Sequence, residues 1–467
     1  SLVIAMGVFG VGMLWFHREW VRKSRRKIGG ALAGMLVLLL IFQGPLITRL
    51  QHLSLTQRTL GTIEFIQSGN VPDRVSWWFS ALAMVQEHPV LGYGLATFMD
   101  VYNVYRRADY RVPGDEQDTF APESTHMEYL NVAATQGVVG LIFYLGLIGC
   151  WLVLVIRTIR NKENLLYVRI TALSFLGAGL IYFIQAMMSF GVVGTLLPLY
   201  LMVGASAALY HITSDSRSQK DQFGVIEVEG MKLVGVGVVL GVMMVLCLWF
   251  TGRQVSAEWH LKKGQTFRAE QEVAKMLEHY EKATMAMPWM YVYWNAYGEG
   301  AFDFGTYDQV DIEILEALLE KSISGYENAY RLVNTQPYIP ANLGLAYLAY
   351  SEVLEAKGAK IQAQSAREEG MNRYEEAVEV AVNNPRFVST WAKLLLSVGR
   401  EEEAREALLQ VLAIRKPYQD TYYQLALLAT NRKNYDEARE YIQKALQQMP
   451  GDEKVKALLQ RIHEETK

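Results

Sequence analysis

Five runs of roughly 20 mostly apolar residues, at about 28–47, 137–156, 170–189, 192–210 and 233–250, constrain this 467-residue chain more than any other feature. A helix of that length crosses a hydrocarbon core about 30 Å thick. A sixth run, 2–16, opens at Ser1 with no basic stretch before it, so it reads as a cut membrane helix rather than a signal peptide, with further helices expected upstream. The whole-chain averages, 51% hydrophobic residues and a net charge of −3, conceal this pattern. Residues 1–251 carry 19 Lys and Arg against 16 Asp and Glu, whereas 252–467 carry 26 against 32. A charge-poor membrane half therefore precedes a charge-rich half, and a single globular domain is excluded. Two cysteines, Cys150 and Cys247, leave no disulfide scaffold or Cys-rich zinc site, and the near-neutral balance gives no support for nucleic-acid binding.

Orientation follows from basic residues in short loops. The segment 17–27 holds six Lys and Arg and the loop 157–169 holds four, which places both in the cytoplasm. No lysine occurs between Lys27 and Lys162. The alternation then gives a membrane domain over 1–211 with a large external loop at about 48–136, a cytoplasmic linker over 212–231, an additional transmembrane helix over 232–251, and an external domain over 252–467.

That last domain repeats itself. EEEAREALLQVLAIRKP (401–417) and YDEAREYIQKALQQMP (435–450) superpose at an offset of 34 residues, Ala404 on Ala438, which is the period of a tetratricopeptide repeat. Tyr422, Leu425, Ala426, Ala429, Ala438, Ile442, Ala445 and Pro450 fall at or near its packing positions. The pattern is clearest over 385–450, with echoes at Gly264, Tyr280, Ala283 and Pro288 and at Tyr326, Ala329, Asn334 and Pro337. We expect four or five helix pairs, with the aromatic run 289–297 (WMYVYWNAY) serving mainly as core. The expected fold is all-α: a polytopic helical membrane domain followed by an α-solenoid of tetratricopeptide-like helix pairs, whose concave face is suited to a protein partner.

Chemistry is expected in the external loop. In DRVSWWFSALAMVQEHPVLGYGLATF (73–98), Val75, Trp78, Phe79, Leu82 and Val85 recur at helical spacing. His88-Pro89 stops that helix and Gly92-Tyr93-Gly94 makes a tight turn. After an acidic stretch containing Asp115, Glu116, Asp118 and Glu123, whose spacing matches no calcium loop, comes STHMEYLNVAATQGVVG (124–140). There His126 is expected to open a helix that Gly137 and Gly140 carry into the membrane.

Arg74 with Trp77 or Trp78, the run HPVLGYG, and His126 followed by Gly137 and Gly140 resemble the O-antigen ligase and polymerase superfamily over about residues 30–210. That family's pattern is His, then Asn, Ser or Gln, nine residues, then Gly-x-x-Gly; Met127 stands here at the polar position. The family also uses an arginine in an earlier external loop, for which Arg49 and Arg58 lie too close to stand in. The resemblance implies a membrane glycosyltransferase of the bacterial cytoplasmic membrane. It would move a glycan from undecaprenyl diphosphate to an acceptor hydroxyl on the outer face, with no nucleotide sugar, cofactor or metal. Arg74 is the candidate for holding diphosphate through paired guanidinium hydrogen bonds, and His126 the candidate general base. Arg106, Arg107 and Arg111, with Gly92 and Gly94, are candidate substrate-binding residues; a solvated face is the competing reading of the arginines. Polymerases of repeat units and oligosaccharyltransferases acting on protein share these motifs, so a lipid or protein acceptor fits equally. A non-catalytic membrane anchor displaying a repeat scaffold is the alternative of another class.

Overall fold

The computed structural model describes residues 73–108, 121–187, 189, 191, 193–214, 230–305 and 311–466. The apolar runs at 2–16 and 28–47, Arg49, Arg58, Arg111, Asp115, Glu116, Asp118 and most of the expected linker lie outside them. Among the described residues the secondary structure is helical throughout, as expected. The chain divides into two compact units, 1–99 with 122–227 and 100–121 with 228–467.

In the first unit, α1 (Asp73–Glu87) and the start of α2 (Phe98–Tyr102) precede α3 (Glu128–Arg160), α4 (Leu166–Ala186) and α5 (Val193–Ser214). Three helices among the described residues, Glu128–Arg160, Leu166–Ala186 and Leu196–Thr213, are long and apolar enough to cross a membrane. They present large apolar side chains outward, Phe143 being 75% exposed, which suits a lipid environment and no aqueous one. Their inner contacts use small residues: Gly179 faces the Trp151 ring so closely that a Cβ would lie 2.2 Å from it, and the Trp151 indole donates to Ser206 Oγ at 3.2 Å. α1 packs on α3, but not through the apolar face expected from sequence. Ser76, Trp77, Ser80, Ala81 and Met84 are buried, while Phe79 and Leu82 are exposed. The buried face mixes the large Trp77 and Met84 with the small Ser76, Ser80 and Ala81, and is offset from the stripe that hydrophobicity alone picks.

The second unit begins with α6 (Gly230–Ala269), which carries the apolar run 233–250 straight into the first repeat helix. Apolar run and solenoid are continuous, and the boundary expected at 251–252 falls inside one helix. Near that point Phe250 stacks on Trp289 at 6.2 Å, and Arg253 lies over Trp249 and Trp289. Aromatic and basic residues of this kind collect where a helix leaves a bilayer.

Helix pairs follow: α7 (Val273–Ala286), α8 (Tyr291–Phe304), α9 (Ile312–Leu332), α10 (Tyr338–Ala356), α11 (Lys360–Val380), α12 (Pro385–Ser397), α13 (Glu401–Ile414), α14 (Thr421–Asn431), α15 (Tyr435–Gln448) and the closing α16 (Glu453–Glu465). The back of α6 pairs with α7, so the described residues make five pairs, each packed on the next. Capping side chains fix several starts: Asp311 accepts from the Glu313 amide, Asn384 from Arg386 with Pro385 behind it, and Asp452 from Lys454 and Val455. Ala404, Ala426, Ala438 and Ala445 are fully buried, as the repeat pattern requires. The irregular middle pairs use glycine instead. A Cβ on Gly325 would meet the Gly298 backbone at 2.6 Å, and one on Gly344 would meet the Gly370 carbonyl at 2.7 Å. In the run 289–297, Tyr293 and Tyr297 are buried core, whereas Trp289 is exposed.

The Gly344–Gly370 contact gives a test. Gly344→Val should destabilise the solenoid by about 1–3 kcal/mol through overpacking against backbone. Gly451→Ala, in open space, should change it by less than about 0.5 kcal/mol. Denaturant midpoints of the purified chain measure both.

Candidate active site

The two sequence motifs of the first unit form one backbone structure. Residues 128–136 start α3, and Gly137 then leaves helical geometry with φ 68° and ψ −171°. A break there orphans the amides that follow it and the carbonyls that precede it. The turn after α1 takes them up. The Val138 amide donates to the Pro89 carbonyl at 2.8 Å and that of Val139 to Val90 at 3.2 Å, while the Gly94 amide donates to the Thr135 carbonyl at 2.6 Å. The HPVLGYG turn is thus hydrogen-bonded into the gap that Gly137 opens.

This arrangement explains the glycines. A Cβ on Gly137 would lie 2.2 Å from the Val90 carbonyl oxygen, and one on Gly92 would lie 2.5 Å from the Thr135 backbone. Both residues have positive φ, as does Gly94. Gly92, expected as substrate-binding, serves backbone approach in this structure, and Gly94, expected likewise, takes a positive φ while its amide bonds Thr135. A Cβ on Gly140 would lie 2.4 Å from the Gln136 Cβ, an atom fixed to the backbone one residue before the break. His88 stacks edge-on against Tyr93 with ring centroids 4.4 Å apart.

His126 does not open the helix as expected. It stands two residues before α3 with φ 53°, a left-handed conformation unusual for a side chain of its size. Its neighbours hold it there. The Trp78 indole donates to the Thr125 carbonyl at 2.9 Å, and the His126 amide donates to Ser124 Oγ at 3.3 Å. The Thr125 hydroxyl donates to the Met127 carbonyl at 2.7 Å and accepts from the Met127 amide at 3.1 Å. The imidazole lies against the buried Trp77 ring, centroids 5.0 Å apart. Burial lowers its pKa below the ordinary histidine value, the charge of Arg74 lowers it further, and Glu123 acts in the opposite sense. Arg74 sits exposed on the first turn of α1. Met127 occupies the N-cap of α3 and its side chain makes no capping bond. An Asn or Ser there would cap the helix, which gives the family's polar residue a structural reason. Below it the Glu128 carboxylate accepts from the Gly191 amide at 2.9 Å, and the Glu128 amide donates to the Ser189 carbonyl at 3.1 Å.

The structure thus brings Arg74, Trp77 and His126 together. Arg106 and Arg107 belong to the second unit, where Arg106 is buried rather than on a solvated face. Sequence reading missed Ser124 and Thr125, whose role depends on hydroxyl geometry that no spacing reports.

Residues 1–145 match the family model described as O-antigen ligase, and residues 395–462 match a tetratricopeptide-repeat model. The first match contains Arg74, the 88–94 turn, His126, Gly137 and Gly140. It supports a ligase-type membrane glycosyltransferase in general terms, and the second suggests protein interaction. No curated protein matches the chain. Solved structures resembling it include a thermophilic tetratricopeptide-repeat protein of Thermus thermophilus at 18% identity, covering 45% of this chain and 98% of that one with a TM-score of 0.30. Another is a tetratricopeptide-repeat protein from Parabacteroides merdae at 15% identity, covering 44% and 72% with a TM-score of 0.34.

The zipped turn predicts an asymmetry between two glycines of α3. Gly137→Ala should free the Val138 and Val139 amides and speed their hydrogen exchange about tenfold or more, the loss expected for one hydrogen bond of about 1.5 kcal/mol. Gly146→Ala, in open space on the same helix, should leave both amides protected.

Proposed function

We propose that the chain is a glycosyltransferase that moves a glycan from undecaprenyl diphosphate to an acceptor hydroxyl at the outer face of the bacterial cytoplasmic membrane. The observation that carries this reading is the strained, half-buried His126 held beside Trp77 and near Arg74, at the head of an apolar helix. As the acceptor oxygen bonds to the anomeric carbon, its proton passes to an imidazole nitrogen. The bond from that carbon to the phosphate oxygen breaks, and its electron pair leaves with the lipid diphosphate. A lowered pKa keeps His126 unprotonated at neutral pH, ready to accept that proton. Arg74, exposed at the start of α1, binds the diphosphate oxygens and stabilises the charge that grows on them in the transition state.

The outward sidedness rests on the basic loop 157–169, which favours the cytoplasm. With α3, α4 and α5 as three crossings and the apolar start of α6 as a fourth, the loop and the repeats lie on the outer side in this reading.

His126→Ala and Arg74→Ala should each lower glycan transfer by about 10²–10⁴-fold at normal protein level, measured with lipid-linked donor in reconstituted membranes. Unchanged transfer in both would leave the membrane-anchored scaffold as the function. The product separates the acceptors: glycan on lipid, lengthened glycan, or glycan on protein.

The pH profile adds a second check. Transfer should fall on the acid side with a midpoint below the ordinary histidine value. Glu123 raises the His126 pKa, so Glu123→Gln should move that acid limb to still lower pH. A limb that moves upward would remove His126 from the role of base.

A further inference from the structure

We propose that the repeat domain holds residues 100–107 as an internal ligand through Tyr291, Gln336 and Asn383, so that a protein partner of the solenoid must use another face.

Both ends of the segment are gripped. At the front, one oxygen of Asp100, Oδ1, accepts from the Tyr291 hydroxyl at 2.8 Å and from Gln336 Nε2 at 3.0 Å. At the back, Asn383 Nδ2 donates to the Arg106 carbonyl at 2.8 Å. The donors come from three places in the solenoid: Tyr291 opens α8, Gln336 stands just before α10, and Asn383 just before α12. Between the grips, Tyr102, Asn103 and Arg106 are almost completely buried. The segment is therefore packed into the array as a foreign peptide would be, with a charge-assisted anchor and a main-chain contact. Burial and the Asp100 charge both raise the Tyr291 pKa, which keeps its hydroxyl protonated as a donor.

The surface around Tyr291, Gln336 and Asn383 is thus taken by the chain itself, and a protein partner would have to use another face. Arg106 serves this packing rather than contact with diphosphate.

The test uses the full chain in lipid vesicles. Asp100→Ala and the double variant Tyr291→Phe with Asn383→Ala should raise hydrogen exchange across 101–106 about tenfold or more, the expectation for lost hydrogen bonds. Asp100→Asn keeps the accepting oxygen and should retain protection. Unaltered exchange in the freed variants would overturn the internal ligand, whether or not the glycosyltransferase reading stands; loss of that reading would show instead as transfer surviving His126→Ala.

Discussion

The pairing of the 88–94 turn with the broken helix at Gly137 is the contact on which the first unit depends. A helix interrupted near a membrane surface exposes amides and carbonyls that lipid cannot satisfy. Here the turn supplies carbonyls for Val138 and Val139 and an amide for Thr135. The break and the turn are each unstable alone and complete together. With that joint made, α1 is set against α3 and its first turn lies near the loop that carries His126. The geometry of the site is thus a by-product of satisfying backbone groups.

Strain at His126 belongs to the same economy of contacts. A left-handed histidine persists because Ser124, Thr125 and Trp78 hold the backbone on either side of it. Burial, with the ring against Trp77, lowers its basicity, and the nearby Arg74 charge lowers it further.

Much of this was legible before any coordinates. Membrane helices announce themselves by unbroken apolar length, and α3, α4 and α5 match runs read at 137–156, 170–189 and 192–210. The last repeats were equally plain, because Ala404 and Ala438 recur where helices must touch. The middle pairs were faint because Gly298, Gly325, Gly344 and Gly370 achieve the same closeness without the repeat's residue types. For α1 the apolar stripe is offset from the buried face, because Ser76 and Ser80 are buried beside Trp77 and Met84 and no hydrophobic pattern marks a serine as core. Glycines 92 and 94 looked like a ligand turn in one dimension; only the approach of Thr135 reveals their use. The bond between Asp100 and Gln336 had no sequence signal at all, for it joins residues 236 positions apart.

That separation has a consequence in time. At about 5–20 residues per second of synthesis, Asp100 emerges roughly 10–50 s before Gln336 exists to meet it. Until then Asp100 Oδ1 has at most the Tyr291 hydroxyl to accept from. Completion of the contact at Asp100 is therefore a late event in the making of the molecule. A chain that stops before the third helix pair carries Tyr291 but not Gln336, and can hold Asp100 by one of its two donors alone.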